Sequence, residues 1–150
     1  MERIQFKSFI NAPREKVWNI MLDDATYREW TKVFNPDGPA SFFEGDWSLG
    51  STMKFIGSGE NGSLSGMYSV VKENKPYDFL SIRHIGEIKE GKEVPWETPE
   101  GVEALENYTF TEKDGGTELV VDLDTLTEYK EMFQDMWPKA LEKLKEICEK

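Results

Sequence analysis

One stripe of side chains limits the fold more than any other feature of this chain. Between about residues 128 and 150, Tyr129, Met132, Phe133, Met136, Trp137, Ala140, Leu141, Leu144 and Ile147 recur at steps of three and four. That period places all of them on one face of a long helix. A helix with so broad an apolar face has to lie against a sheet or other helices. Pro138 falls inside it, where its ring crowds the carbonyl four residues back and no N–H is left to donate. A kink is expected there, with the first half of the helix splayed away from the sheet.

The surface this helix covers is legible upstream. Ile4, Phe6, Ser8 and Ile10 alternate with Arg3, Gln5, Lys7 and Phe9, the period of a strand. Asn11-Ala12-Pro13 stops it; Asn11 can cap a helix and Pro13 suits a first turn. Val17, Trp18, Met21 and Leu22 predict a short helix over about 13–22. Tyr27 and Trp30 predict a second, ending before the turn cluster Asn35-Pro36-Asp37-Gly38-Pro39. Strands are then expected over about 40–43, 52–56, 64–71, 79–85, 105–111 and 117–123. Turns at 57–62, at Asn74-Lys75-Pro76 and at Lys113-Asp114-Gly115-Gly116 join them. Short turns between neighbouring strands imply an antiparallel meander rather than parallel βαβ units. The expected class is therefore α+β. A curved antiparallel sheet of about seven strands wraps the long C-terminal helix, and two short helices follow strand 1. The 150 residues suit a single domain, 1–150. The stretch 87–103, rich in Gly, Pro and charge, reads as a long loop carrying Trp96.

Charge and composition exclude several functions. Acidic residues outnumber basic ones 29 to 18, so a phosphate backbone or an anionic membrane is a disfavoured partner. One cysteine, Cys148, and one histidine, His84, are too few for a zinc site, and neither a metal nor another cofactor is expected. The opening MERIQFKSF alternates and lacks the apolar core of a signal peptide, and no stretch has the roughly 20 apolar residues that cross a bilayer, so a cytoplasmic location is expected. Gly57, Gly59 and Gly62 are not followed by a Lys-Ser/Thr pair or a helix and do not form a phosphate loop. Aromatic residues make up 13%, a surplus that points towards a lined cavity or a partner surface.

Three stretches carry a family likeness: FINAPREKVWNIMLDDATYREW; FFEGDWSLGSTMKF with the strand from Gly66 to Leu80; and Trp137-Pro138 with Leu141 and Leu144. Together they resemble the START-like, or SRPBCC, superfamily with its helix-grip fold. The nearest resemblance is to the group named for the C-terminal domain of the Hsp90 ATPase activator. The resemblance implies a cavity between sheet and helix for an apolar molecule. It carries over Trp18, Trp30, Phe55, Leu80, Trp137 and Leu141 as cavity lining and implies no catalytic residue. Ser51 after Gly50 and the long 87–103 stretch depart from the family pattern at the expected cavity mouth.

The residues themselves suggest more lining. Phe43, Trp47, Phe133 and Met136 lie near turns or on the splayed half of the helix, whereas Trp18 and Trp137 read equally well as filled core. Trp96 is either a lid or a surface anchor for its loop. Strand parity puts Leu80, Ile82 and His84 on one face, and Glu106, Tyr108 and Phe110 on the matching face of a neighbouring strand. His84, Glu106 and Tyr108 then point inward together. Such a set can do general acid–base work, or simply bond to itself as a buried polar group. Glu97, Glu100, Glu103 and Glu106 read as a solvated rim, and Cys148 as packing. The leading expectation is a binder of a small hydrophobic ligand, acting as monomer or homodimer. A cyclase- or hydrolase-like enzyme using His84, Glu106 and Tyr108 is the alternative, and an Hsp90-associated co-chaperone-like module is the second.

Overall fold

The structure, a computed structural model, describes residues 1–35, 41–58, 63–97 and 101–150. Its elements run β1 (Glu2–Ile10), α1 (Arg14–Leu22), α2 (Asp24–Trp30), β2 (Ser41–Glu44), β3 (Thr52–Ser58), β4 (Leu64–Lys75), β5 (Phe79–Lys89), β6 (Lys92–Pro95), β7 (Ala104–Lys113), β8 (Gly116–Thr125) and α3 (Lys130–Cys148). Single 3-10 turns, Lys32–Phe34 and Thr127–Tyr129, follow α2 and precede α3. The strands form one antiparallel sheet in which seven run in the order β1-β8-β7-β5-β4-β3-β2 and β6 pairs with β5 beside this path. The expected turn residues 36–39 and 59–62, the strand start at Ala40 and the rim residue Glu100 lie outside the described residues.

Local chemistry explains the register. Asp114 and Gly115 both have positive φ between the paired residues Lys113 and Gly116, so the β7–β8 hairpin turns on two residues with the twist that adjacent strands need. Glu90 and Gly91 do the same between Lys89 and Lys92. This corrects the expected 87–103 loop: its first half is a hairpin of β5 and β6. The exposure of β6 on every residue hid the alternation that would have marked it. The edge of β5 is shared, with β7 pairing over Phe79 to His84 and β6 over Gly86 to Lys89. On β4, Gly66 crosses β3 so closely that a Cβ there would lie 1.8 Å from the Phe55 carbonyl oxygen, an approach only glycine permits.

The helix caps differ from expectation. Pro13, not Asn11, occupies the N-cap of α1, and the Asn11 N–H donates to the Glu149 carboxylate at 2.8 Å. Asp23 caps α2 by accepting from the Ala25 N–H. The helix α3 runs as one element through Pro138, which is exposed.

Burial divides α3 instead. From Trp137 onward its stripe is sealed, with Ala140 and Leu144 fully buried against α1, α2 and the sheet. There Trp18 meets Phe110 edge-on at 5.2 Å, and Leu119 and Val121 of β8 alternate inward. Before Trp137 the stripe is open, and Tyr129 and Met132 are exposed.

Candidate functional site

Beneath the open half of α3 lies a cavity of about 610 Å³, well inside the range of small-molecule pockets. Tyr129, Met132, Phe133 and Trp137 roof it. Phe55 of β3, Met67 of β4, His84 and Ile88 of β5, Glu106 and Tyr108 of β7 and Leu123 of β8 form the sheet wall. Met21 and Leu22 of α1, Tyr27 and Trp30 of α2, and Trp47 of the β2–β3 connection close the far side. Met1, Leu126, Tyr129 and Met132 both line the cavity and are exposed, which marks its mouth.

The end of α1 fixes two of the tryptophans. The last turn of a helix leaves four carbonyls without helical partners. Here all four are taken: Asn19 by the Asp23 N–H, Ile20 by the Thr26 hydroxyl, Met21 by the Trp30 indole at 3.1 Å and Leu22 by the Trp47 indole at 3.1 Å. Both indole donors are thereby satisfied away from the ligand space, and the apolar ring surface is left to the cavity. Trp47 holds a left-handed backbone, φ 63°, and its carbonyl accepts from the Asn74 amide at 2.7 Å. Tyr27, Phe43, Trp47 and Phe55 then pack with centroids 4.9–6.5 Å apart.

A polar chain crosses this apolar wall. Ser69 Oγ lies 2.6 Å from His84 Nδ1, His84 Nε2 lies 3.3 Å from Glu106 Oε1, and the Tyr108 hydroxyl donates to Glu106 Oε2. Pairing with β4 slips at this point, since Ser69 opposes His84 while Tyr68 opposes Gly86, and Ile85 is the extra residue. Such bulges bend a strand and re-aim its side chains. Nε2 of His84 is thus engaged by Glu106 and Nδ1 by Ser69, so neither ring nitrogen is free. Burial first, and then the Glu106 charge, push the Tyr108 hydroxyl well above the usual tyrosine range. The same two causes raise Tyr27. Both phenols stay protonated donors at neutral pH.

Of the residues singled out in the sequence, Trp30, Trp47, Phe55, His84, Trp96, Tyr108, Phe133 and Trp137 line this cavity, and Glu106 joins them. Trp18, Leu80, Ile82, Phe110 and Leu141 lie instead in the filled core, while Phe43 backs Tyr27 and Trp47 from behind. Met136 is half-buried and off the wall. Trp96 sits just past β6, its N–H donating to the Ile85 carbonyl at 2.9 Å, so its backbone is tied to the sheet. Cys148 is fully buried in the core, and burial pushes its thiol up to about 11. Sequence reasoning missed Tyr27 and Ser69 as site residues. Tyr27 stood out only as helix spacing, and Ser69 shares inward parity with Val71, a signal that was there to use. Among the described residues, no three His, Cys, Asp or Glu side chains converge where they could hold a metal ion, and no helix is long and apolar enough to cross a membrane.

A curled antiparallel sheet gripping a C-terminal helix, with a cavity between them, defines a START-like domain of the helix-grip fold. Residues 11–149 match the family described as Activator of Hsp90 ATPase homolog 1-like protein, and the chain belongs to that family. Its fold is similar to that of CV1439 from Chromobacterium violaceum, at TM-score 0.74 and 15% identity, covering 100% of this chain and 99% of that one. It is similar also to the Aha1 dimer from Colwellia psychrerythraea, at TM-score 0.70 and 19% identity over 99% and 97% of the two chains. DynU16, from the dynemicin biosynthetic locus, shares the fold at TM-score 0.68 and 15% identity over 97% of this chain and 46% of its own. No curated protein matches the chain.

Proposed function

We propose that the protein binds a small, mainly apolar molecule in the cavity between the sheet and the first half of α3. The observation that carries this is a 610 Å³ space walled by Tyr27, Trp30, Trp47, Phe55, Phe133 and Trp137. A chain of this size can close such a space with side chains, as its own other half does. Leaving it open costs the dispersion contacts a filled core would supply. A bound apolar ligand restores them. Titration with Nile red, an uncharged apolar dye, should shift both the dye emission and the tryptophan emission, and native mass spectrometry should show a co-purified small molecule. Unchanged spectra together with a bare protein mass would overturn the proposal.

The hydrogen-bonded chain favours a second reading, in which the bound molecule is transformed. Glu106 is the member of that chain left to act on a ligand, because both nitrogens of His84 are engaged. The expected signature is hydrolysis of a p-nitrophenyl alkanoate that disappears in Glu106→Gln while dye binding persists. No turnover above buffer would remove the hydrolase form of this reading. Membership of the Hsp90-activator-like family adds a partner to test: a flat Hsp90 ATPase response to the added protein would remove the co-chaperone-like role.

A further inference from the structure

Among the described residues, three carboxylates face the cavity: Glu87, Glu106 and Asp124. Two have cations. Asp124 receives two hydrogen bonds from Arg3, at 2.6 and 3.0 Å, and one from the Leu105 N–H at 3.0 Å. Burial pulls its carboxyl up, but these contacts outweigh that and hold it below the usual carboxylate range. Glu87 pairs with Lys89 at 3.3 Å, and among the described residues Lys89 is the only lysine or arginine on the cavity wall. Glu106 has neither a lysine nor an arginine partner; its ionic partner is the His84 ring at 3.3 Å, a cation only when protonated. The Glu106 side chain is 17% exposed, about as deep as that of Asp124 at 14% and deeper than that of Glu87 at 34%, and its two neighbours, Tyr108 and His84, donate one hydrogen bond to each oxygen. A carboxylate has about four lone-pair sites, so acceptor capacity remains.

Beyond these two donors the wall near Glu106 is aromatic. Aromatic faces carry negative quadrupole charge and attract cations. Tyr108 and Trp137 lie 6.2 Å apart, Phe55 and the His84 ring 6.4 Å, and Tyr27 and Phe55 6.4 Å, and these rings line the same cavity as the carboxylate. The charge of Glu106 reaches both buried phenols. The chain as a whole carries a formal charge of -11. A carboxylate ligand placed here would meet like charge at short range in a desolvated space.

Resting on the ligand-site reading above, we propose that the cavity selects apolar molecules bearing a protonated amine, with the ammonium set against Glu106 and the surrounding ring faces. The hydrocarbon or aromatic body of the ligand fills the space under Phe133 and Trp137. Fatty acids of similar length are rejected, although they match the apolar wall equally well.

Three probes of equal chain length separate the possibilities at pH 7: octylamine, 1-octanol and octanoate, each titrated below its aggregation concentration and followed by tryptophan emission and calorimetry. Octylammonium should bind at least about tenfold more tightly than octanoate, with octanol between. Glu106→Gln keeps the shape and removes the charge. It should weaken octylammonium about tenfold while octanol stays within about twofold. Octanoate binding as well as octylammonium overturns the inference and leaves the ligand site standing. So does an amine preference that survives in Glu106→Gln. Binding of none of the three overturns both. Should Glu106→Gln fail to fold, the order of the three probes on the unmodified protein decides alone.

Discussion

The two halves of α3 carry the same kind of side chain at the same spacing and end in opposite states. After Trp137, Ala140 and Leu144 are sealed against the sheet and the short helices; before it, Tyr129 and Met132 are exposed and Phe133 overlooks a cavity. Trp137 belongs to both, stacked on Phe6 at 6.0 Å and facing Tyr108 at 6.2 Å. Periodicity alone therefore says that a face is apolar, not what covers it. What covers it depends on partners distant in sequence. Trp18 and Phe110 fill the sealed half, whereas under the open half the rings of Trp30 and Trp47 are held back by bonds to the end of α1.

This contrast can be broken by experiment. The largest effect is expected at the sealed half. Leu144→Ala should lower unfolding free energy by about 3 kcal/mol in denaturant melts, because it leaves a hole in a filled core. A loss below about 1 kcal/mol would mean that the two halves do not differ.

Next comes alkaline pH. Tyr27 and Tyr108 ionise in the folded state well above the value of about 10 that they take when unfolded. The folded chain thus holds protons that the unfolded chain releases. Their contribution is complete below about pH 10 and is lost as pH rises past it, by at most about 1.4 kcal/mol per pH unit for each phenol. Both phenols line the open half, so protection factors, which remove the base-catalysed rate of free amides, should fall first around the cavity as pH is raised. A uniform fall would contradict the division.

Smaller effects are expected from the cavity wall itself. Trp47→Phe removes the donor to the Leu22 carbonyl and should cost about 1 kcal/mol, together with a change in Nile red affinity. Phe133→Ala should change stability by less than about 1 kcal/mol yet weaken dye binding severalfold, measured by melts and titration on the same samples. A stability loss as large as that of Leu144→Ala would show that Phe133 is core and not lining.

Most of the fold was legible because its signals are local. The period of Ile4 to Ile10, the two-residue turn at Asp114-Gly115 and the stripe of α3 each needed only neighbours in sequence. The convergence of His84, Glu106 and Tyr108 on one wall was also legible from parity. Long-range facts were not. Parity placed Leu80, Ile82 and Phe110 inward but could not say that Trp18 and α3 would already fill the space beneath them. The β5–β6 hairpin escaped because β6 is exposed on every residue, so no alternation betrayed it, although Glu90-Gly91 was a usable turn signal. The bulge at Ile85 that tilts the His84 region has no residue signature at all.

The pairing of β1 with β8 has a kinetic consequence. Arg3 and Asp124 are 121 residues apart, and Asn11 meets Glu149 across 138. Closing such loops costs entropy before any contact repays it, so refolding in milliseconds to seconds is expected, at the slow end for a chain of this size. Until α3 docks, the inward face of β8 at Leu119 and Val121 stands open to water and to other chains. The half that ends up sealed is thus the one most exposed to misassembly while the molecule is still folding.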